Sequence, residues 1–408
     1  MGWNWVRQIA RFHEVWVITR ANNQEPVERG LACSPLPNVH WVYLDLPRWA
    51  RFWKKSRRGI HLYYFLWQLG VYVRARKLHR QVGFDLVHHV TLVNYWIPSL
   101  LPLLPVPFVW GPVGGGESAP RIFWRSFSLR GKVYEALRDL ARWLSELNPL
   151  RHLTARRAAI GLATTHETAR RIRGLGCRNV SVLSAVGLTG DEIAWLGSFP
   201  FRETNPFRVV SVGRLWHLKG FDLGLRAFAC FERRFPAAEY WIIGDGPERR
   251  RLERLARDLR IADKVMFTGA LLRQNVLGRL AECDVLLHPA LHESGGCVSL
   301  EAMAAGRPVI CLDLGGPAFQ VTDGTGIKVP ATSPEQAVAD LADALLRLAQ
   351  DPALRFRLGQ AGRGRVASQF DWDQKGTLMA KVYEAVKEGG VGGFTRVSAE
   401  NPLNLQPK

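Results

Sequence analysis

The sequence predicts an α/β protein made of two doubly wound domains, and three observations support that prediction. Its 408 residues suffice for two or three domains with buried cores. Apolar residues account for 47% of the chain and charged residues for 22%, which excludes disordered and collagen-like classes. Short apolar runs alternate with segments of helical periodicity along most of the chain, a pattern typical of parallel sheets covered by helices on both faces.

The alternation is most regular in the second half of the chain. Helical periodicity lies between successive apolar runs there and continues through two further helices within 333–368. We therefore predict one doubly wound domain over 201–368, followed by a last helix within 369–388. Its strands are expected at Phe207–Val212, Glu239–Ile243, Val265–Thr268, Asp284–Leu287 and Pro308–Leu312.

The first half follows the same pattern less regularly, and we predict a second α/β domain over 1–200. The segment Ser198–Pro206 is short, rich in proline at its ends and polar in its middle, as a linker between domains would be. Repeated glycines indicate a disordered tail over 389–408. The strands of the first domain are expected at Val15–Thr19, Val39–Leu44, Leu86–His89, Phe108–Trp110, Gly161–Thr164 and Val180–Leu183.

Positive charge is concentrated in the first half of the chain. The net charge is +19, with 27 Lys and Arg against 12 Asp and Glu in residues 1–200 and 28 against 24 in residues 201–408. Two readings are open for residues 48–80, which contain no carboxylate: a segment that binds an anionic membrane surface, or a solvated helical surface whose aromatic side chains pack inward. The cations are Arg48, Arg51, Lys54, Lys55, Arg57, Arg58, Arg74, Arg76, Lys77 and Arg80, and the aromatic residues between them include Trp49, Trp53, Tyr63, Tyr64, Phe65 and Trp67.

Other features bear on partners and location. No recognition-helix or RNA-module pattern accompanies the charge, so nucleic acid is not expected as a partner. The six cysteines include no C-x-x-C pair, which favours a reduced, cytosolic chain without structural zinc. Residues 86–116 lack charged side chains, but five prolines would break a membrane-spanning helix there, and buried strands explain the stretch better. We expect a cytoplasmic protein that is peripheral on the inner face of the cell membrane if residues 48–80 bind lipid.

The most informative segment is Leu291–Pro308, where two carboxylates frame a pair of glycines. Glu293 and Glu301 would be about 80° out of alignment on one helix, so we expect Glu293 in a loop and Glu301 in the first turn of a helix. Gly295 and Gly296 let a ligand approach the backbone, and the N–H groups of a helix start bind phosphate. Carboxylates accept hydrogen bonds from sugar hydroxyls. The segment therefore suits a sugar attached to a phosphate; the alternative is a glycine-bent turn with a capping glutamate.

A second motif follows the strand expected at Phe207–Val212. Arg214 is predicted at the carboxyl end of that strand and Lys219 near the start of the next helix, where both are placed to converge on a diphosphate. The alternative is a pair of solvated surface cations. A third loop, Gly244–Pro247, is as typical of an ordinary turn before a helix as of a nucleotide contact.

Taken together, these residues resemble the retaining, nucleotide-sugar-dependent glycosyltransferases of family 4, which have the two-domain GT-B architecture. The resemblance rests on Gly213-Arg214 with Lys219-Gly220, on Gly244–Pro247 and on Glu293 followed by Glu301–Pro308, and it extends over residues 2–388.

The resemblance implies a role for each of these residues. Arg214 and Lys219 would hold the donor diphosphate, Glu301 the ribose, and Glu293 the transferred sugar as a catalytic residue. Cations and helix amides, rather than a metal or a cofactor, would stabilise the leaving diphosphate. The last helix would cross back to the first domain. Further donor contacts are implied for Gly246, Gly295, Gly296, Cys297 and Val298.

The sequence departs from the family pattern in two places. Members open with a strand and a glycine-rich loop, whereas Met1–Arg7 resembles the end of that loop, so we expect the first strand to be missing and Met1 to be an internal start. Many relatives place a histidine near the transferred sugar, where this chain has Gly111–Glu117. His89 is the nearest catalytic candidate, although a packed, fully bonded side chain is an open alternative for both neighbouring histidines. The acceptor-side candidates are Gly2, His88, Gly114, Gly115 and Glu117.

Other functions are open at this point. Asp371-Trp-Asp373 matches a metal-binding D-x-D motif, but its place at the start of the last helix favours helix capping. A nucleotide-sugar epimerase or a phosphorylase of the same fold is an alternative, as is a catalytically impaired, basic membrane-associated protein on this scaffold. Our prediction is a glycosyltransferase that moves a sugar from a nucleoside-diphosphate sugar to a hydroxyl of a saccharide or lipid-linked acceptor, with retention of configuration.

Overall fold

The computed structural model of the protein describes residues 2–47, 49, 59–91, 94–201 and 203–390. Contacts divide the chain into two compact units. The first contains the described residues of Met1–Gly116, Leu140–Ala185 and Trp372–Lys408, and the second contains Glu117–Asp139 and Val186–Asp371.

The first unit contains two parallel sheets. One pairs β1 (Val15–Arg20) with β2 (Val39–Leu44), and the other has four strands in the order β3-β4-β5-β6. Among the described residues, no strand joins β1 to β3, so the two sheets are separate. The strands of the second sheet are β3 (Val87–His89), β4 (Phe108–Val113), β5 (Ala158–Ala163) and β6 (Val180–Val182).

Helices cover these sheets, and the last helix of the chain packs with the first. The core includes Trp5, Ile160 and Met379, all of them fully buried. Within the described residues the helices that contribute to this unit are α1 (Gly2–Ile9), α2 (Gln24–Cys33), α3 (Ile60–Val82), α4 (Leu129–Glu146, shared with the second unit), α5 (Pro149–Arg157) and α6 (His166–Gly174). The last helix of the chain, Trp372–Lys387, also belongs to this unit.

Polar contacts fix that last helix against α1. The buried Lys375 donates to the carbonyl of Ser184 and its ammonium lies 5.2 Å from the ring of Trp5. Asp373, in the first turn of the helix, accepts a hydrogen bond from Gln8 at 2.7 Å and pairs with Arg11 at 3.1 Å. These contacts give Asp373 a structural role in joining the last helix to the segment of α1.

The second unit is built on one six-stranded sheet in which every strand pair is parallel. The strand order is β12-β11-β10-β7-β8-β9, so the chain runs outward in one direction, returns to the middle and runs outward in the other. The carboxyl ends of β7 and β10, which are neighbours, therefore meet at the reversal point, where such sheets bind ligands. The strands are β7 (Phe207–Val212), β8 (Ala238–Ile243), β9 (Val265–Gly269), β10 (Val285–His288), β11 (Val309–Leu312) and β12 (Gly326–Val329).

The helices of this unit lie between the strands, as the alternation predicts. They are α7 (Gly190–Gly197), α8 (Phe221–Glu232), α9 (Arg249–Asp258), α10 (Arg273–Ala281), α11 (Cys297–Ala304), α12 (Gly315–Gln320), α13 (Pro334–Gln350) and α14 (Pro352–Arg365), and the last helix of the chain is then α15 (Trp372–Lys387). Each strand expected from the sequence is present, and the structure adds β12.

The contacts assign Glu117–Asp139 to the second unit, although this segment lies within the predicted first domain of 1–200. Apolar packing explains this assignment, because Phe123 and Phe127 are buried in the same core cluster as Phe207 and Val209. Residues 186–200 likewise count with the second unit, where Leu188 and Leu196 are buried.

The uncharged stretch 86–116 forms strands, and the cysteines are not paired with one another. Residues 86–116 contain β3 and β4, and no helix in the described parts of the chain is long and apolar enough to span a bilayer. All six cysteines are free thiols.

The described part of the basic segment 48–80 forms most of α3. Tyr63, Tyr64 and Trp67 are buried, so these aromatic side chains pack inward, whereas the apolar side chains of Leu69 and Val73 are exposed. Arg74, Arg76, Lys77 and Arg80 are exposed as well. Residues 48 and 50–58, with six of the ten cations and Trp53, lie outside the described residues.

Candidate active site

Three loops at the carboxyl edge of the six-stranded sheet pack backbone against backbone. Gly220, which has a positive φ of 63°, lies so close to the loop after β10 that a Cβ atom would be 1.9 Å from the carbonyl oxygen of Pro289. A Cβ atom at Gly244 would be 2.0 Å from the carbonyl oxygen of Gly213. The loops after β7, β8 and β10 therefore form one rigid group, and glycine is required where they touch.

The loop after β10 is held from its other side by the start of α12. A Cβ atom at Gly315 would lie 2.3 Å from the carbonyl oxygen of Glu293, and the amide N–H of Gly316 donates to that same oxygen at 2.8 Å. The buried amide of Gln320 donates to the carbonyl of Gly295. These contacts fix residues 293–296 just ahead of α11, where Gly296 takes a left-handed conformation as the N-cap.

We expect Gly220→Ala to lower the free energy of unfolding by about 3 kcal/mol or more, because the methyl group would collide with backbone and the residue would keep a left-handed φ. The matched control is Gly278→Ala, in α10, where a Cβ atom meets nothing within 4 Å. That substitution should raise the free energy of unfolding by about 0.5–1 kcal/mol. Urea denaturation measures both, and equal stability of the two variants would contradict the packing described here.

Lys219 and Glu293 form the centre of the candidate site. Lys219 follows β7 in a short 3₁₀ helix, Glu293 lies in the loop after β10, and their side chains make an ion pair. Burial alone would raise the pKa of Glu293, but the charge of Lys219 and the hydrogen bonds from Lys219 and from the backbone N–H of Gly295 lower it overall. Burial and the neighbouring Lys219 together lower the pKa of His288 to about 4. The site thus presents a carboxylate, an ammonium group and a neutral imidazole at the edge of the sheet.

Glu301 is the fifth residue of α11 and lies in its second turn, not in the first turn as predicted, and its carboxylate is almost entirely buried. It accepts a hydrogen bond from Arg273 at 2.8 Å, and Arg273 also pairs with Glu192 of α7. Burial raises the pKa of Glu301, against the opposing effect of Arg273. The carboxylate is consequently fixed in position by one guanidinium group.

The other predicted donor-side residues lie on the same three loops and on α11. Arg214 directly follows Gly213, is exposed, and places its guanidinium carbon 5.8 Å from the ring of Trp216. Cys297 and Val298 are the first two residues of α11. A Cβ atom at Gly246 would lie 2.4 Å from the carbonyl oxygen of Leu215, so Gly246 packs against the loop of Arg214.

Glu117, predicted on the acceptor side, lies beside the loop after β10. Its buried carboxylate accepts a hydrogen bond from the hydroxyl of Ser294 at 2.7 Å. Arg138 of α4 donates to the backbone carbonyl of Glu117 at 3.3 Å. The second unit therefore contains one of the candidates that the sequence assigned to the first domain, next to Glu293.

The two candidate histidines, His88 and His89, are half-buried in β3 of the first unit. His88 lies 2.5 Å from the hydroxyl of Tyr383 through Nδ1 and 2.6 Å from the carbonyl of Gly111 through Nε2. Since the carbonyl can only accept, Nε2 carries the proton and Nδ1 accepts from Tyr383. His89 Nε2 lies 2.7 Å from the hydroxyl of Tyr64. Burial lowers the pKa of each histidine to about 4, and for His88 the contacts favour the packed, fully bonded alternative.

The glycines predicted on the acceptor side also lie in the first unit. Gly2 is the first residue of α1, and a Cβ atom there would lie 3.0 Å from the methyl group of Thr91. Gly114 forms a bridge with Asn94, and Gly115, with a φ of 86°, leaves no room for a Cβ atom beside the same asparagine. Gly114 and Gly115 thus shape the backbone after β4.

The lowered pKa values of His88 and His89 predict a loss of stability in mild acid. The pKa of His88 is about 4 in the folded chain against 6.5 when unperturbed, so the folded state binds fewer protons between these values. The contribution of neutral His88 to the free energy of unfolding should be complete above about pH 6.5 and should decline as the pH falls towards 4. His88→Gln, which cannot titrate, should show a shallower decline in urea denaturation, whereas exposed His166→Gln should follow the wild type. Parallel pH profiles for all three proteins would contradict the assignment.

Two residues near the site carry no signal in the motifs. Arg273 is the first residue of α10, shortly after β9. In the sequence, only its position near the predicted carboxyl edge of the sheet indicated that it could contribute to the site. Gln320 ends α12, and nothing in its surroundings in the sequence points to the loop that it binds.

Comparison with known proteins adds sequence relatives. The family model for group 1 glycosyl transferases matches residues 198–365. A glycogen synthase of Mycobacterium tuberculosis is 30% identical over 307 residues, which cover 75% of this chain and 70% of that protein. A GDP-mannose-dependent monoacylated alpha-(1-6)-phosphatidylinositol monomannoside mannosyltransferase of Corynebacterium glutamicum is 31% identical over 48% of this chain and 51% of its own length. The lipopolysaccharide core biosynthesis glycosyltransferase LpsD of Rhizobium meliloti is 35% identical over 40% of this chain and 45% of its own.

Solved structures show the same fold along almost the whole chain. Sucrose-phosphate synthase from Thermosynechococcus elongatus superposes with a TM-score of 0.61 at 21% identity, covering 92% of this chain and 99% of that one. The Anabaena protein HepE, solved in complex with UDP, superposes with a TM-score of 0.58 at 15% identity, covering 93% and 95%. The fold is thus the GT-B fold, with two Rossmann-like domains.

Proposed function

The chain belongs to the group 1 glycosyltransferases, and we propose that it transfers a sugar from a nucleoside-diphosphate donor to an acceptor hydroxyl with retention of anomeric configuration. The observation that carries this proposal is the pair of Lys219 and Glu293 beside the start of α11, with Glu301 buried one helical turn further on. A cation, helix amides and two carboxylates suit a diphosphate flanked by two sugars.

In the proposed complex the donor lies along the carboxyl edge of the sheet. Lys219 and the exposed Arg214 bind the diphosphate together with the first N–H groups of α11, while the carboxylate of Glu301 accepts hydrogen bonds from the ribose hydroxyls. Glu293 then faces the transferred sugar. Before the donor binds, the ion pair between Lys219 and Glu293 holds both side chains in place. In the proposed complex, the phosphate contacts draw Lys219 towards the donor.

The proposed reaction breaks the bond between the anomeric carbon and the diphosphate oxygen. Negative charge grows on the leaving oxygen, and the preorganised cations and amides stabilise it without a metal or a cofactor. That oxygen accepts the proton of the acceptor hydroxyl, and the hydroxyl oxygen bonds to the anomeric carbon on the same face. Configuration is therefore retained, and the products are the glycoside and a nucleoside diphosphate.

A panel of UDP, GDP and ADP sugars tests this function. Nucleoside diphosphate release should depend on one donor and on an added saccharide or lipid-linked acceptor, and NMR of the product should show the donor's anomeric configuration. An inverted product would overturn the mechanism. Isomerised donor without transfer would indicate an epimerase, and sugar release driven by inorganic phosphate would indicate a phosphorylase.

The proposed acceptor is a saccharide or a lipid-linked saccharide, of the kind used in polysaccharide synthesis, and the proposed location is cytoplasmic and peripheral on the inner face of the cell membrane. Two relatives are named for a phosphatidylinositol mannoside and a lipopolysaccharide core. Exposed Leu69 and Val73 on α3, followed by four exposed cations, support a contact of residues 48–80 with anionic lipid. Weaker binding of Val73→Asp to anionic vesicles would support that contact, and unchanged binding would oppose it.

A further inference from the structure

The helix α4 turns an apolar face outward. Its exposed apolar side chains recur at intervals of three and four residues, so they share one face of the helix. Each of these residues is between 51% and 77% exposed. The members of this outward face are Leu129, Val133, Leu137, Leu140, Trp143, Leu144 and, directly after the helix, Leu147.

The charged side of α4 is the side that packs against protein. Glu135 is buried, pairs with Arg138 at 3.3 Å and lies 3.6 Å from His217. Arg142 is buried on the same side. Near the carboxyl end Glu146 pairs with Arg171 at 3.3 Å. A surface helix usually buries its apolar stripe and exposes its charges, and α4 does the reverse because ion pairs hold its polar side inward.

The outward face is bordered by cations and not by carboxylates. Arg130 and Lys132 are exposed at its edges. The third carboxylate of the helix, Asp139, is mostly buried and lies 3.9 Å from Arg121. Exposed positive charge beside exposed leucines complements a surface that is apolar underneath and negatively charged on top.

We propose that the outward face of α4 inserts into the interfacial layer of an anionic lipid bilayer. Between Lys132 and Arg130 the face, which also includes Ala136, occupies about 160° of the helix circumference at about 100° per residue, wider than the two-position seam of paired helices. A second copy of the chain would bring the same cations against each other. Trp143 suits the headgroup region, where tryptophan side chains concentrate. This inference extends the membrane contact proposed for residues 48–80 to a different surface.

Vesicle flotation of the full chain tests the proposal without any sugar donor, so its outcome is independent of transfer activity. The wild type should float with vesicles of phosphatidylglycerol and phosphatidylethanolamine, and much less with phosphatidylcholine alone. The double variant Leu137→Asp/Leu144→Asp should bind at least about tenfold more weakly, since each leucine loses its apolar contact with lipid. The matched control is Leu272→Asp/Phe356→Asp, which adds the same two negative charges at exposed apolar residues outside α4 and should bind like the wild type.

A second variant tests the charge. Arg130→Gln/Lys132→Gln keeps every apolar residue and should weaken binding to the anionic vesicles at low salt, with a smaller salt dependence than the wild type. Wild-type binding by the leucine variant, with an unchanged circular dichroism spectrum, would overturn the proposal. So would a wild type that ignores vesicles, or one that is a dimer in solution and becomes a monomer in the leucine variant without any loss of vesicle binding.

Discussion

Replacing Lys219 by Ala should lower kcat/KM for sugar transfer by about 100- to 1000-fold, the usual effect of removing one group that stabilises negative charge in a transition state. The ammonium group is already fixed by Glu293 before any donor binds, so its contribution needs no rearrangement at the moment of reaction. The loss should appear mainly in kcat, because charge on the diphosphate grows as its bond to the sugar breaks. Steady-state kinetics with the preferred donor measure it.

The control for this variant is Lys264→Ala, which removes a partly exposed lysine of the same unit that donates to the backbone carbonyl of Pro236. It should retain wild-type kinetics. Circular dichroism should confirm that both variants are folded. Turnover of Lys219→Ala within a few-fold of the wild type would show that the diphosphate binds elsewhere.

Replacing Glu301 by Ala should lower kcat/KM by about 100-fold or more, because two hydrogen bonds from ribose hydroxyls to a carboxylate contribute about 1.5–3 kcal/mol each. Most of the effect should lie in the KM for the donor. Burial raises the pKa of Glu301, so in the wild type this KM should rise as the pH falls and the carboxylate takes up a proton. Glu301→Gln, which cannot titrate, should show a weaker dependence on pH.

Glu335→Ala is the matched control for that variant, since Glu335 is an exposed glutamate near the start of α13. Arg273→Ala adds a separate readout: the carboxylate remains but loses its guanidinium partner, so donor KM should rise less than in Glu301→Ala. A donor KM that is unchanged in Glu301→Ala would remove the ribose from this position.

The regular part of the fold could be predicted because apolar runs of strand length mark buried parallel strands. The strand β12 was missed because Gly326–Val329 contains a lysine and a glycine, and it is stabilised by pairing with β11 rather than by its own composition. The inward packing of Tyr63 and Trp67 stayed open because composition alone does not say which face of a helix meets the protein.

The candidate site was predictable where it depends on motifs, and less so where it depends on tertiary contacts. Glu301 in the helix and Glu293 in the loop follow from the spacing and from the glycines between them. The bond from Ser294 to Glu117 does not, because a segment about 180 residues earlier in the sequence reaches the loop only through the burial of Phe123 and Phe127. The same limit applies to α4, where periodicity defines an apolar face but not the side to which it turns.

The glycine contacts between the loops have a consequence for altering the donor that the enzyme accepts. A library that randomises these loops together with the start of α12 would consist mostly of unfolded proteins, since almost no substitution is compatible with the backbone contacts at Gly220, Gly244 and Gly315. Productive diversity would come from positions whose side chains leave that backbone unchanged, such as Arg214 and Val298. A selection for new sugar specificity should therefore recover changes at those positions while the glycines stay invariant.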